Sequence, residues 1–183
     1  MSHFKLRRMQ AEDIAAVYQI QTQTYPPAMV ESMTVLVSRL FAAPDTSWVA
    51  DSELDADADD KDVQGICGYL FAYPSLRGEI TRLGEAFLVP ELPDCLYLHD
   101  LAIAPRAAGQ GIGGALVKMA LQHAQGLRYS CLVAVQSSSR FWQAQGYIES
   151  DAASLDQEQQ ACLATYVSHA SYFVKHLGSV NRY

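Results

Sequence analysis

Apolar residues recur along this chain in two rhythms, and their alternation predicts a mixed α/β fold. Phe4 to Met9 reads as a first strand. From Ala11 the spacing lengthens, and Ile14, Val17, Tyr18 and Ile20 follow the helical period until Tyr25-Pro26-Pro27 breaks it. A second helix is predicted over Ser32 to Phe41, with Met33, Leu36, Val37, Leu40 and Phe41 on one stripe. Pro44 to Ser47 makes a turn, Trp48-Val49-Ala50 begins a strand, and a longer strand runs from Val63 to Ala72.

The second half is βα in character. An irregular segment from Tyr73 to Asp94 leads into an apolar strand, Leu96 to Ile103. A helix is predicted from Gly111 to Gln125, with Ile112, Leu116, Met119, Ala120 and Ala124 facing the sheet. A strand from Tyr129 to Val135, a short helix from Ser138 to Ala144 and a strand from Gly146 follow. The tail is helical or irregular over 156–164 and closes on an antiparallel strand within Tyr166 to Leu177. Repeats and linkers are absent from the pattern, so residues 1–183 are expected to form one domain.

Between the strand ending at Ile103 and the next helix lies Arg106-Ala107-Ala108-Gly109-Gln110-Gly111-Ile112-Gly113. The first N–H groups of a helix have no intrahelical acceptors and carry the positive end of its dipole. Glycines let a phosphate approach them closely, so an anionic, phosphate-bearing ligand is the first expectation. Three patterns compete for this turn. The Lys-Ser/Thr of a P-loop is missing. Gly109, Gly111 and Gly114 satisfy the dinucleotide spacing G-x-G-x-x-G, but the following strand ends in Gln136 and serines where a Rossmann fold wants an acidic residue. Arg106-Ala107-Ala108-Gly109-Gln110-Gly111 satisfies R/Q-x-x-G-x-G/A.

With the strand before it, that third pattern resembles the coenzyme A pyrophosphate loop of the GNAT superfamily of N-acetyltransferases. Ser138 to Tyr147, with Phe141-Trp142 and Gly146, is similar to the family's A-x-x-F-Y-x-x-x-G-F segment. Asp62 to Ala72 and Tyr166 to Leu177 resemble its central hairpin strand and its closing strand. The resemblance implies a central, mostly antiparallel mixed sheet with a splayed parallel strand pair, flanked by helices. It implies acetyl-CoA as co-substrate and direct attack by an amine in a ternary complex. The pantetheine arm would then meet Leu101, Ala102 and Ile103, and the pyrophosphate the N–H groups of Ala107, Ala108, Gly109, Gln110, Gly111, Ile112 and Gly113, with Arg106 entering the turn. Phe141 would pack against the cofactor arm, and Ser137 to Arg140 would reach its nucleotide end.

Leu98-His99-Asp100-Leu101-Ala102-Ile103 is most similar to the arylalkylamine (serotonin) N-acetyltransferases, whose strand carries histidines at the positions of Tyr97 and His99. An ammonium acceptor must lose a proton before it can attack, and a base of pKa near 7 suits that task. His99 is the candidate, with Asp100 as rival base and Tyr97 beside it. Strict alternation would put Tyr97, His99 and Leu101 on one face and Asp100 on the other, unless a bulge intervenes. The family commonly has a tyrosine as general acid where this chain has Trp142; indole has no acidic proton, so Tyr97, Tyr147, Tyr172 or water is left for the role. Tyr25, Met29 and Glu31, at the junction of the first two helices, are candidates for the acceptor wall.

The 183 residues carry a formal charge of −7, which argues against a nucleic-acid or anionic-membrane partner and suits a cationic small-molecule amine. Much of that charge lies between Asp51 and Asp62, where Asp55-x-Asp57-x-Asp59 starts like an EF-hand but lacks its glycine and glutamate. Cys67, Cys95, Cys131 and Cys162 show no metal-ligand spacing, so no metal and no disulfide is expected. With no signal-like or membrane-length apolar window, a cytoplasmic monomer or homodimer is the expectation. Two alternatives stay open: acetylation of a protein or peptide amine, and a catalytically silent acyl-CoA sensor.

Overall fold

A computed structural model describes residues 4–52, 65–135, 138–166 and 169–178. The acidic segment read as a hairpin loop lies almost wholly outside them, as does Ser137. Helices α1 (Ile14–Thr24) and α2 (Met33–Ala42) fall between strands β1 (Phe4–Arg8) and β2 (Trp48–Ser52). Strands β3 (Ile66–Ser75) and β4 (Cys95–Ile103) are joined by the segment 76–94. Then come α3 (Ile112–Gln122), β5 (Tyr129–Ala134), α4 (Ser139–Ala144), β6 (Ile148–Glu149), α5 (Gln157–Leu163) and β7 (Ser171–His176).

The seven strands form one mixed sheet in the order β1-β2-β3-β4-β5-β7-β6, in which β4–β5 is the parallel pair and the other pairs are antiparallel. One face is covered by α1 and α2, with Val17, Ile20, Leu36 and Leu40 packed on Tyr69, Phe71, Tyr73 and Tyr97. The other is covered by α3 and α4, with Leu116, Val117 and Trp142 on Leu70, Leu96, Leu98, Leu132 and Phe173. β3 and the first part of β4, Cys95 to Leu98, are buried on both faces, as their apolar runs require.

Helix α2 departs from its apolar stripe. Met33 and Phe41 face solvent, while Arg39 is fully buried beside Leu36 and Leu40. Every nitrogen of the Arg39 guanidinium finds an acceptor there, at the Glu31 carboxylate or the Glu85 carbonyl. Leaving Phe41 in water forgoes only about 1.5–3 kcal/mol of burial, whereas a guanidinium buried without those acceptors would cost more. Periodicity alone counts Arg39 as polar and so expects Met33 and Phe41 inside, whereas Leu36, Val37 and Leu40 of the same stripe do face the core. Helix α3 stops at Gln122 rather than Gln125, because His123 and Ala124 pass into a tight turn that ends at Gly126 with φ +84°.

Two irregularities in β4 shape the site. Phe71 pairs with Asp100 and the next residue, Ala72, with Leu98, so His99 is an extra residue opposite no partner. Such a bulge resets the alternation of side chains beyond it. Cys95 and Tyr97 share the α1–α2 face, and Asp100, Ala102 and Ala104 return to that face, while Leu101 and Ile103 join the α3 side. Asp100 therefore stands on the same side as His99, not opposite it. In addition, β4 pairs with β5 only from Cys95–Tyr129 to Leu98–Leu132, and beyond Leu98 the two strands part.

Candidate active site

The parting of β4 and β5 opens a cleft of about 280 Å³. Leu98, His99, Leu101, Ala102 and Ile103 form one wall, Val133, Val135, Phe141 and Trp142 the other, and Tyr25 lies at its end. Past Leu98 the edge of β4 that faced β5 has no strand to bond among the described residues, which leaves backbone groups for a ligand with amides of its own. Two residues of the cleft, Ile103 and Phe141, lie against Gly113 at the end of the glycine turn. Gly109 and Gly111 both hold φ +78°, Gly111 capping α3, and a Cβ added at either would meet nothing within 4 Å. The turn is thus solvent-open with the first-turn N–H groups of α3 behind it, a shape suited to a pyrophosphate.

The remaining cofactor-side residues are placed as follows. Ala107 and Ile112 are buried under the turn, and Ala108 and Gln110 are exposed on it. Arg106 reaches back, its Nη2 donating to the Ile66 carbonyl at 2.7 Å, and so braces the turn against β3. At Gly113 a side chain would press on the Phe141 ring, 3.3 Å from the added Cβ, so α3 and α4 touch through this glycine. Trp142 is core as well as wall, edge-on to Phe141 and Tyr147 at 4.9 and 5.5 Å.

Beside this cleft lies a second cavity of about 30 Å³, room for roughly one water molecule. His99, Tyr25, Val133 and Val135 line both spaces; Met29, Glu31, Leu83, Asp100 and Tyr166 line the small one. The structure thereby brings His99, Asp100, Tyr25, Met29 and Glu31 together. Tyr97 lies behind them, fully buried between the rings of Tyr73 and His99, and lines neither space.

The two carboxylates here live in opposite surroundings. Glu31 faces the Arg39 guanidinium, whose Nη2 donates to Oε1 at 2.6 Å, and the Gly84 N–H donates to the same oxygen at 2.6 Å. Burial alone would raise its pKa, but the His99 and Arg39 contacts outweigh it and bring it down to about 2. Asp100 has only neutral donors: Tyr25 and Tyr69 hydroxyls at 2.7 Å each and Gln21 Nε2 at 3.2 Å. Its burial is the larger effect, and its pKa is raised. The His99 ring, with its side chain 2% exposed, is pushed below its ordinary value, first by burial and then by Arg39, against the pull of Glu31. It is neutral at pH 7. Its Nδ1 is buried without a hydrogen-bond partner.

Gln21, Arg39, Tyr69, Phe87 and Tyr166 belong to this site and were not among the sequence candidates. Gln21 bridges it, donating to Asp100 and accepting from the Glu31 N–H at 2.6 Å. Phe87 and Tyr166 set their rings 5.2 and 6.4 Å from His99. Arg39 carried a signal that could have been found, since it is a lone cation within the apolar run of α2. Of the tyrosines considered as acid, Tyr147 is bonded to Ser130 and Tyr172 accepts from the Gly78 N–H, both away from the cleft. Tyr25 reaches it, donating to Asp100 and approaching the Leu101 carbonyl at 3.1 Å.

The sequence pattern of the Acetyltransferase (GNAT) family matches residues 14–147. The chain belongs to that family. No curated protein matches it by sequence search. Similar solved structures agree on the fold. The loading GNATL domain of CurA from Lyngbya majuscula superposes with a TM-score of 0.68 at 15% identity, covering 95% of this chain and 98% of that one. The GphF GNAT-like decarboxylase in complex with isobutyryl-CoA gives 0.67 at 14%, covering 95% and 100%. The ribosomal-protein-S18-alanine N-acetyltransferase from Escherichia coli gives 0.64 at 13%, covering 98% and 99%. In this GNAT-family acetyltransferase His99 lines the cleft between β4 and β5, and the glycine turn follows β4 at the start of α3. No helix among the described residues is long and apolar enough to cross a membrane, and no cluster of metal-ligating side chains occurs among them.

Proposed function

We propose that this chain is a cytoplasmic, acetyl-CoA-dependent N-acetyltransferase acting on the primary amine of a small molecule, with arylalkylamines as the first class to test. The observation that carries the reading is the position of His99, which lines both the strand cleft and the small cavity beside it. Acetyl-CoA would lie with its pyrophosphate on the Gly109–Gly113 turn and its pantetheine arm along Leu101 to Ile103, against Phe141. The aromatic and apolar walls of Tyr25, Met29 and Tyr166 suit an aryl or alkyl amine once the small cavity widens. Net charge −7 favours approach of a cation.

In this reading His99 removes one proton from the acceptor ammonium. The freed nitrogen lone pair attacks the thioester carbonyl, the C–N bond forms and the C–S bond breaks. The thiolate takes up the second proton that the acceptor nitrogen sheds, so one proton leaves per turnover, through His99. A neutral histidine with lowered pKa is already in its basic form at pH 7.

The test is acetyl-CoA turnover, read as released CoA thiol, against arylalkylamines, polyamines and peptides. Turnover with one small-amine class and its loss in His99→Ala supports the reading. Turnover with peptides alone replaces the acceptor with a protein amine. A raised Tm with acetyl-CoA but silence across the panel overturns the enzymatic assignment to small amines and favours a sensor.

A further inference from the structure

The two nitrogens of the His99 ring meet unlike surroundings. Nε2 stands 3.7 Å from Glu31 Oε2, while Nδ1 is buried and unbonded. Glu31 itself is held firmly. Arg39 grips both its oxygens, the Gly84 N–H binds Oε1, and Gln21 accepts from its backbone N–H. Arg39 is anchored in turn by the Glu85 carbonyl, at 3.0 and 2.8 Å. A neutral imidazole carries a single proton, and an anion facing one nitrogen keeps it there. We infer that Glu31, clamped by Arg39, is a positioning residue that holds His99 as the Nε2–H tautomer and leaves the Nδ1 lone pair to act as the base.

This rests on His99 being the base of the proposed reaction, and it gives Glu31 a role exerted through His99 rather than on the acceptor. In the step concerned, the Nδ1 lone pair takes one proton from the acceptor ammonium, leaving a neutral amine and an imidazolium ion. The charged groups around that ion are Glu31, Arg39 and Asp100, and the titratable hydroxyls of Tyr25, Tyr97 and Tyr166 complete its surroundings. Glu31 and Asp100 favour the ion and Arg39 opposes it. Asp100 is placed differently from Glu31, because its two oxygens are already shared among Tyr25, Tyr69 and Gln21.

The deciding experiment is nitrogen NMR of the histidine side chains in the whole protein, with His99 assigned by the signals lost in His99→Gln. Glu31→Gln and the double variant Glu31→Gln/Arg39→Met are compared with the unaltered protein; the double variant leaves neither charge buried alone. The expected result is an Nε2–H tautomer in the unaltered protein and a mixed or Nδ1–H population in both variants. Turnover should fall by about tenfold or more, within the roughly 10²–10⁴-fold that a positioned base supplies, while KM for acetyl-CoA stays put. In Glu31→Gln the acid limb of kcat/KM should also move to lower pH, because the carboxylate that raises His99 basicity is gone. An Nδ1–H tautomer in the unaltered protein, or a folded double variant with unchanged tautomer and turnover, overturns the inference. If neither variant folds, the tautomer of the unaltered protein decides alone. A His99→Ala enzyme with full activity would instead overturn the base reading itself.

Discussion

The two halves of this site are built from different materials. The half we assign to the cofactor is contiguous in sequence, Leu101 to Gly113, and offers mainly backbone: the edge of β4 beyond its pairing with β5 and the open N-terminus of α3. The half we assign to the acceptor is assembled from α1, the α1–α2 junction, α2, β3, the bulge in β4, segment 76–94 and the residues after α5, and it presents side chains. Backbone recognition tolerates most substitutions except those that change φ. A side-chain network tolerates few, since each buried member satisfies another. The glycine turn and the histidine network should therefore fail in different ways.

The largest effect is expected at His99. His99→Ala should lower kcat by roughly 10²–10⁴-fold with acetyl-CoA affinity unchanged, as separate turnover and calorimetric measurements would show. Because the base must be neutral, the unaltered enzyme should gain activity as pH rises through a limb below about 6.5, and the variant should lose that limb. Arg39→Met comes next: removing one partner of a buried ion pair costs about 3–5 kcal/mol, readable as a fall in the denaturation midpoint.

Acid unfolding tests the same pair. The folded pKa of Glu31, about 2, lies below its ordinary 4.5, so its stabilisation is complete above about 4.5 and is lost as pH falls toward 2. Asp100, raised, has the opposite sign: it favours the fold when protonated and that contribution fades as pH rises through its folded value. Glu31→Gln should flatten the acid limb of stability, whereas Asp100→Asn should leave that limb in place.

On the backbone side, Gly111→Val forces a β-branched residue to φ +78°, which costs about 1–2 kcal/mol. Acetyl-CoA affinity should drop by about tenfold or more with His99 and its partners undisturbed; unchanged affinity would remove the turn from the cofactor site. The smallest effect on binding and turnover is expected from Tyr25→Phe. It deprives buried Asp100 of one donor, a loss of about 1–3 kcal/mol in stability, and any larger loss in turnover would show that the hydroxyl takes part in proton transfer.

What could be read from the sequence follows the same division. The turn was legible because its chemistry lies in glycines at fixed spacing along one short stretch. His99 was legible through the resemblance of Leu98 to Ile103 to a known strand. The partners of His99 were not, because Gln21, Arg39, Tyr69 and Tyr166 approach from separate parts of the chain, and nothing in a linear pattern marks their meeting. Arg39 took the inward place expected of Met33 and Phe41 in α2, since periodicity has no place for a buried cation whose acceptors, the Glu31 carboxylate and the Glu85 carbonyl, lie outside the helix. The bulge could only be left open, for a similar reason: Cys95 to Leu98 is apolar and buried on both faces, and alternation there carries no sign of a skipped pairing.

A strand keeps its parity by counting in twos, and the surplus residue at position 99 is where this one miscounts. Replacing His99 and deleting it are consequently unlike operations. Replacement removes an imidazole and leaves the count intact. Deletion would join Leu98 and Asp100 in an unbroken ladder against Ala72 and Phe71, with Asp100 and Ala102 still on the α1–α2 face and Leu101 and Ile103 still on the α3 face. The carboxylate would keep its three donors and lose the base beside it, so acid and base share one face only through one unmatched position in β4.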